Sequence, residues 1–283
     1  MSGPFSRLGA HAIRASMLAD RALTYFDRLR SLVVSALASD GVLEAYNDMA
    51  YGATAVYDAS APQFRDQLFN WEVEMVRTFP GPPGSVLVGG AGGGREAFEL
   101  SARGYAVTAF EPSRVLAQSM RDRAAATGAA VRVLVGRYEN LPVLRTLDGE
   151  TIDLSTSPPF AAALFGWTSY SHIRRSADRA AALAGLARLA DGRVYASFFK
   201  ARADKTTTHA LSAWTSRRGW RRDGDRFSPN IGFFHESAIS EIDEEIAAAG
   251  LVRVGLSEND GDGYWPWFAA ARPEVAAREP ARG

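Results

Sequence analysis

A glycine-rich turn carries the clearest chemical signal in the sequence. Apolar residues 86–88 are followed by five glycines between positions 89 and 94, and then by Arg95 and Glu96. Without Cβ atoms, the backbone of such a turn can pass close beneath a ligand, and the helix that follows offers unpaired N–H groups and partial positive charge. The turn could therefore receive a pyrophosphate or the amino-acid end of a cofactor. Tight turns also use glycine for steric reasons alone, so this interpretation needs a second residue.

Glu111 is that second residue. It follows an apolar segment at 106–110 and lies 21 residues beyond Gly90. A carboxylate at the end of the second strand can accept hydrogen bonds from both hydroxyls of an adenosine ribose. An acidic residue in this place is often only a solvated loop residue. Its register with the glycine turn nevertheless favours ligand binding.

Strands and helices alternate through the middle of the chain, which predicts a doubly wound α/β fold with helices on both faces of a parallel sheet. The predicted strands span 86–88, 106–110, 131–135, 160–165 and 194–199, and the helices between them span 95–103, 113–125 and 176–190. Asp191 and Gly192 close the last of these helices. Two further strands, at 251–256 and 265–271, are separated by too few residues for a parallel crossover and must form an antiparallel hairpin. The prediction is a mostly parallel, seven-stranded sheet with an antiparallel last strand.

The first 80 residues are predicted to form an N-terminal helical extension or lid, with one amphipathic helix at 8–38 and another at 62–79. Asp40 and Gly41 should end the first helix, because glycine readily adopts a left-handed C-terminal cap. The main domain is expected at 81–275, with an aromatic and arginine-rich insertion at 201–235, followed by a tail at 276–283. A helix at 237–249 is predicted to precede the hairpin.

The stretch 86–113 resembles the first two motifs of class I S-adenosylmethionine-dependent methyltransferases. The matching features are the hydrophobic strand, a G-x-G-x-G loop on Gly90, Gly92 and Gly94, and the acid Glu111. The resemblance extends over about residues 60–273 and includes the reversed last strand. It implies S-adenosyl-L-methionine as the cofactor and methyl transfer to an oxygen or nitrogen of a small molecule or peptide.

Later segments add further site residues by the same resemblance. The segment 136–142 is similar to the loop that borders adenine, and 160–167 is similar to the fourth strand, whose end faces the transferred methyl group. In many similar enzymes a segment like that around Tyr51 and Tyr57 covers the cofactor, although amphipathic packing explains those tyrosines as well. The implied cofactor-binding residues are Gly90, Ala91, Gly92, Gly94, Glu111, Pro112, Tyr138, Glu139, Gly166, Trp167 and Tyr57.

Three positions depart from the family pattern. Val88 stands where the family usually has an acid before the glycine loop, and Ala161 replaces an aspartate common early in the fourth strand. Arg137 replaces an acid that contacts adenine, although Glu139 is close enough to substitute for it. These departures leave open a non-catalytic scaffold or partner subunit with the same fold, because fold alone does not prove activity.

A nicotinamide or flavin site is the other alternative for the glycine turn. The segment 92–97 formally satisfies G-x-G-x-x-A, and Glu111 would suit a ribose. That register starts four residues after the strand, however, and reading from Gly90 puts Arg95 where close helix–strand packing needs a third glycine. The antiparallel end of the predicted sheet also favours the methyltransferase.

His172 follows the fourth strand on the side where the methyl group should emerge, and it is the predicted general base. A base is needed only if the acceptor arrives protonated, and His172 could instead merely hydrogen-bond the loop. Trp167 and Tyr170 could shape the acceptor pocket or pack in the core. No His/Asp/Glu cluster has metal-ligand spacing, so no metal is expected.

The bulk composition narrows the function classes. Lys plus Arg and Asp plus Glu both total 32, which gives no global field to hold a phosphate backbone, so a nucleic-acid partner is not expected. The chain has no cysteine, which excludes disulfides and a cysteine nucleophile. No segment predicts a membrane span or a signal peptide, so we expect a cytoplasmic monomer or homodimer that contacts no membrane.

Overall fold

The computed structural model describes residues 4–53, 67–201, 223–259 and 265–278. Tyr57, Trp214 and Trp220 lie outside these ranges, as does most of the predicted insertion. The strands are β1 Ser85–Gly89, β2 Ala106–Glu111, β3 Val131–Val135, β4 Val143–Arg145, β5 Thr151–Asp153, β6 Phe160–Phe165, β7 Ala190–Ser197, β8 Phe199–Lys200, β9 Asp225–Ser228, β10 Gly232–Ser237, β11 Val252–Ser257 and β12 Trp267–Ala271. The helices are α1 Pro4–Leu37, α2 Asp40–Ala53, α3 Asn70–Val76, α4 Arg95–Ala102, α5 Arg114–Thr127, α6 Ser176–Leu189, α7 Ile239–Ala248 and α8 Pro273–Ala276.

A nine-stranded sheet in the order β11-β12-β7-β6-β1-β2-β3-β4-β5 forms the centre of the protein. β1 pairs in parallel with β2 and β6, β3 extends the parallel part beside β2, and β7 extends it beside β6. β12 runs antiparallel to both β7 and β11, which confirms the predicted reversed last strand. Val86, Leu87 and Val88 are completely buried, as expected for a central strand covered on both faces.

The sheet differs from the sequence prediction at two places. The β4–β5 hairpin was not predicted, because two three-residue strands are too short to show a hydrophobic period, and it raises the strand number from seven to nine. Asp191 and Gly192 were predicted to close a helix but belong to β7. A Cβ atom at Gly192 would collide with the carbonyl oxygen of Ala161, so this glycine serves the close approach of two strands.

The N-terminal helices also correct the prediction in part. Helix α1 ends at Leu37, but Asp40 and Gly41 begin α2 instead of forming a left-handed cap. The second predicted helix starts only at Asn70 within the described residues, because the extended Phe69 is its N-cap. The Glu72 carboxylate accepts the N–H of Phe69 at 2.7 Å and so fixes that helix start. None of the described helices is both long and apolar enough to cross a membrane.

A second, three-stranded sheet in the order β8-β10-β9 lies beside the main one and carries the described end of the predicted insertion. Both N-terminal helices contact it through hydrogen bonds. Ser31 of α1 accepts the N–H of Phe227 at 2.7 Å, and Asn47 of α2 accepts the N–H of Phe233 at 2.9 Å. The N-terminal extension and the insertion therefore form one layer.

Buried ionic groups join this second sheet to the rest of the protein. Arg179 of α6 is completely buried, and its guanidinium contacts the carboxylates of Glu245 and Glu241 of α7. His235 of β10 is also completely buried and contacts Asp225 and Glu241, at 2.9 Å each. We call these five residues the ionic cluster. It ties α6, α7, β9 and β10 together.

The pH dependence of stability should reveal the charge of His235. Hydrogen bonds to Asp225 and Glu241 raise the pKa of His235 against the opposing effects of burial and of Arg179. Protonation of His235 therefore stabilises the folded protein. This contribution is fully present below about pH 6.5, the pKa of histidine in the unfolded chain, and it is lost as the pH rises through the higher pKa of the folded state. Urea unfolding of the protein and of His235→Asn should therefore differ most at low pH. A difference that grows toward alkaline pH would contradict the assignment.

Candidate active site

The carboxyl ends of the parallel strands meet at one edge of the sheet, and a cavity of about 610 Å³ opens there. In open α/β sheets this edge is where ligands bind. Its walls are formed by the turn after β1, the ends of β2, β3 and β6, the first turn of α4 and one face of α6 along its length. Among the predicted site residues, the cavity is lined by Gly90, Ala91, Gly92, Glu111, Pro112, Tyr138, Glu139, Trp167 and His172.

The glycine turn adopts backbone conformations that side chains disfavour. Gly90 and Gly92 have φ values of 60° and 55°, and Gly94 has a φ of 87° at the N-cap of α4. A Cβ atom at Gly90 would come within 2.7 Å of Ser169, whereas one at Gly92 would meet no atom within 4 Å. Gly92 therefore presents bare backbone to open space in the cavity.

The Glu111 carboxylate points back toward this turn. One oxygen accepts the N–H of Gly92 at 2.9 Å, and the other accepts the N–H of Ser113 at 3.0 Å. The residue is 7% exposed, and that small exposed fraction lies on the cavity wall. Each carboxylate oxygen has a second lone pair, so the group is held in place and still able to accept hydrogen bonds from a ligand.

Tyr138 closes the cavity at the end of β3. Its hydroxyl shares a hydrogen bond of 2.7 Å with Ser169, and its ring stacks on Phe165 with centroids 4.7 Å apart. Burial raises the pKa of Tyr138 well above its ordinary value, so the phenol stays neutral. Arg137 and the exposed Glu139 flank it on the cavity rim.

Gly94 and Gly166 shape the site without being among the residues that line the cavity. The Gly166 N–H donates to the Gly89 carbonyl at 2.7 Å, and a Cβ at Gly166 would collide with the carbonyl oxygen of Gly90. A Cβ at Gly94 would meet Met120 at 2.8 Å. Both glycines permit close packing, and the ligand contacts predicted for them remain predictions.

The segment after β6 carries backbone strain beside the cavity. Thr168 has a φ of 53°, and it is the only described residue other than glycine with a positive φ. Such a conformation is unfavourable for a β-branched residue, and it is held here by a 2.9 Å hydrogen bond from the Thr168 N–H to Ser197. The strained turn fixes where Trp167, Ser169 and His172 lie.

His172 is half-buried on the cavity wall. Its Nδ1 lies 2.7 Å from the carbonyl oxygen of Phe233, which can only accept, so Nδ1 carries the proton. Burial lowers the pKa of His172 to about 4, and the ring is neutral at physiological pH with its lone pair on Nε2. The ring is in the protonation state that a proton acceptor requires.

Residues from α2 and β10 cover the cavity. Leu43 and Asn47 line it from α2, Phe233 lines it from β10, and Ile231 lines it from the turn just before β10. The side chain of Asn47 bonds directly to the backbone of Phe233, so the two elements form one cover. Tyr57, the residue predicted to serve a lid, lies outside the described residues.

Comparison with known proteins identifies the architecture. No family model and no curated protein matches the chain. Among solved structures, the CcbJ methyltransferase from Streptomyces caelestis is 14% identical, with a TM-score of 0.58 over 80% of this chain and 99% of its own. The 1,6-didemethyltoxoflavin-N1-methyltransferase from Burkholderia thailandensis is 20% identical, with a TM-score of 0.56 over 83% of this chain and 91% of its own. An S-adenosylmethionine-dependent methyltransferase from Clostridium acetobutylicum is 10% identical, with a TM-score of 0.53 over 81% and 99%.

The chain has the class I methyltransferase fold. Within that fold, two of the departures from the family pattern have structural explanations. Val88 is completely buried in the core, so this position cannot hold a charge without a partner. Ala161 lies at the amino end of β6 beside Gly84, away from the cavity.

The sequence does not predict that three charged residues next to the glycine turn are buried and paired with one another. The Arg95 guanidinium forms a bidentate pair with Glu72, at 2.5 Å for each contact, and contacts Glu96 at 3.0 Å. The other partner of Glu96 is the N–H of Trp167, at 2.9 Å. Burial raises the pKa of Glu72 to about 7. Glu72 is 23 residues away from Arg95 in sequence, and no spacing rule signals their pairing.

Proposed function

We propose that this protein transfers a methyl group from S-adenosyl-L-methionine to an oxygen or nitrogen of a small-molecule acceptor. The observation that carries the proposal is the Glu111 carboxylate, which is held by the glycine turn and lines the same cavity as the bare backbone of Gly92. This arrangement suits a ligand that joins a ribose to an amino acid. The structurally similar protein from B. thailandensis holds 1,6-didemethyltoxoflavin and S-adenosylhomocysteine.

Different residues of the cavity would contact different parts of such a ligand. Glu111 would accept the ribose hydroxyls, and Gly90, Ala91 and Gly92 would face the amino-acid end. Arg95 and Glu96, which are almost completely buried and pair with each other, also border this end of the cavity. Residues bordering adenine would be Pro112, Tyr138 and Glu139, which follow β2 and β3. Trp167 completes the wall toward the methyl group.

The chain's own residues then contribute orientation, exclusion of water and a proton acceptor. When bound, the cofactor supplies an electrophilic methyl carbon, and the carbon–sulfur bond that breaks leaves its electron pair on sulfur. The cover from α2 and β10 keeps water from this carbon, and the rigid turn around Thr168 fixes the acceptor's approach. His172 Nε2 accepts the proton of an acceptor that arrives protonated.

His172 should matter for turnover and not for cofactor binding. We expect His172→Asn to lower kcat by roughly 100-fold or more, because general base catalysis typically contributes 10²–10⁴-fold. The acceptor for this assay would be found as a cell-extract component that gains the mass of one methylene. The affinity for S-adenosylhomocysteine should stay within about twofold, since His172 is outside the proposed cofactor contacts. Near-normal turnover by the variant would reject the base.

Calorimetry tests the proposed function itself. We expect S-adenosylmethionine and S-adenosylhomocysteine to bind with dissociation constants between about 1 µM and 1 mM, the usual range for enzyme ligands. The absence of heat at roughly 10 mM ligand, about ten times the upper end of this range, would favour a non-catalytic scaffold with the same fold. Binding of a nicotinamide or flavin nucleotide instead would favour the oxidoreductase alternative. We further propose that the enzyme acts in the cytoplasm as a monomer or homodimer.

A further inference from the structure

One part of the cavity lies beyond the residues assigned to the cofactor, and we call it the acceptor chamber. It is lined by Leu43 and Ile231 from the cover, by His172, and by the aromatic residues Phe199, Phe233 and Trp265. From its shape and charge we propose that the acceptor is a planar aromatic molecule that carries an anionic group. This inference rests on the proposed methyl transfer and names its substrate class.

Aromatic rings form the walls of the acceptor chamber. Phe199 meets Trp265 edge to face, with ring centroids 5.0 Å apart and an interplanar angle of 87°. His172 stands at the same angle to Phe199, with centroids 6.3 Å apart. Rings arranged edge to face offer both faces and edges to a further ring, and such aromatic pairs are favourable beyond the burial of apolar area. A planar aromatic acceptor fits these walls better than a saturated one of equal size.

The charges next to the chamber are predominantly positive. Arg174 and Arg175, which immediately precede α6, line the cavity here together with Asp178 in the first turn of that helix. Asp178 already pairs with Arg175 at 2.6 Å. The half-buried Arg174 lies at the chamber itself, because its guanidinium carbon is 5.8 Å from the centroid of the Phe233 ring. An anionic group on the acceptor would be attracted to Arg174.

The carboxylates on the opposite wall do not cancel this attraction. Glu96 is paired with Arg95. Glu111 accepts two backbone N–H groups on the side assigned to the cofactor. The exposed Glu139 lies with Arg137 on the rim assigned to adenine. Cofactor and acceptor would share about 610 Å³, a volume typical of small-molecule sites. The geometry therefore favours a small aromatic anion over a peptide.

Three simple probe molecules distinguish the effect of the ligand's aromatic shape from the effect of its charge. The protein, with and without saturating S-adenosylhomocysteine, would be titrated calorimetrically with 2-naphthoate, decahydro-2-naphthoate and 2-naphthylmethylammonium. We expect 2-naphthoate to bind at least about tenfold more tightly than either other probe, and tenfold corresponds to about 1.4 kcal/mol. Equal or tighter binding of the saturated acid would overturn the aromatic part. Equal or tighter binding of the cation, or no binding of any probe, would overturn the acceptor class.

Neighbouring residues on β10 provide matched variants. Phe233 lines the chamber, whereas Phe234 is not among the lining residues and packs on Phe199 with centroids 4.6 Å apart. Phe233→Leu and Arg174→Gln should each raise the dissociation constant for 2-naphthoate at least about fivefold. Phe234→Leu should bind 2-naphthoate about as tightly as the parent protein. Equal losses of 2-naphthoate affinity in both phenylalanine variants would contradict the assignment of Phe233 to the acceptor chamber. If the protein binds 2-naphthoate but not S-adenosylhomocysteine, the proposed methyl transfer is wrong and the site for an aromatic anion is retained.

Discussion

Glu111→Ala should raise the dissociation constant for S-adenosylhomocysteine at least about 100-fold, because two hydrogen bonds to a charged acceptor, each worth about 1.5–3 kcal/mol, are removed. The substitution also frees the N–H groups of Gly92 and Ser113, which now bond to this carboxylate. The turn that receives the amino-acid end would lose its anchor together with the ribose contact. Calorimetry or equilibrium dialysis measures the effect directly.

Two companion variants define the interpretation of this result. Glu111→Gln keeps the shape but places an amide NH2 group where one carboxylate oxygen accepts a backbone N–H, so it should lose most of the same affinity. Glu99→Gln removes a carboxylate from α4 that pairs with Arg103 away from the cavity, and it should leave affinity within about twofold. Unchanged affinity in Glu111→Ala would show that the ribose lies elsewhere.

Arg179→Met is expected to lower the free energy of unfolding by about 3–5 kcal/mol, the usual cost of leaving a buried carboxylate without its partner. Arg179 is completely buried, and Glu245, which it contacts, is 1% exposed. Its guanidinium also donates to the backbone carbonyls of Ile173 and Arg174, immediately after His172. Loss of Arg179 therefore removes both an ion pair and the support of the active-site turn.

Urea unfolding at neutral pH measures this loss, and the chain provides a surface pair for comparison. Arg253 and Asp243 form an ion pair of 2.6 Å between partly exposed side chains. Arg253→Met should cost no more than about 1 kcal/mol, because solvent screens exposed pairs. Similar losses in the two variants would mean that the ionic cluster contributes no more to stability than an ordinary surface pair.

The sequence predicts the central features of this site because they are local. The glycine turn follows its strand directly, and Glu111 ends the next strand, so their meeting at the sheet edge follows from the parallel topology. The β4–β5 hairpin escaped detection, since residues 143–145 and 151–153 are too few to show a period. At Gly192 the sequence predicts a feature that is absent. A glycine that permits two strands to approach closely resembles a helix cap in sequence.

The ionic contacts and the cover depend on pairs that are distant in the chain. Glu72 is 23 residues from Arg95, and Asn47 is 186 residues from the Phe233 that it binds. Neither a hydrophobic period nor a short motif encodes such pairs. His172 was found from its position after the fourth strand, but its low pKa depends on burial that only the folded chain provides. The local sequence therefore predicts the cofactor side of the cavity and the position of His172, whereas the cover depends on distant pairs.

A crystal structure of the protein with S-adenosylhomocysteine tests the central claim most directly. We expect both ribose hydroxyls within about 2.5–3.0 Å of the Glu111 carboxylate oxygens, the normal range for such hydrogen bonds. The amino-acid end should lie along Gly90, Ala91 and Gly92. An adenosine bound elsewhere in the cavity, with no contact to Glu111, would contradict the proposed function and leave only the fold.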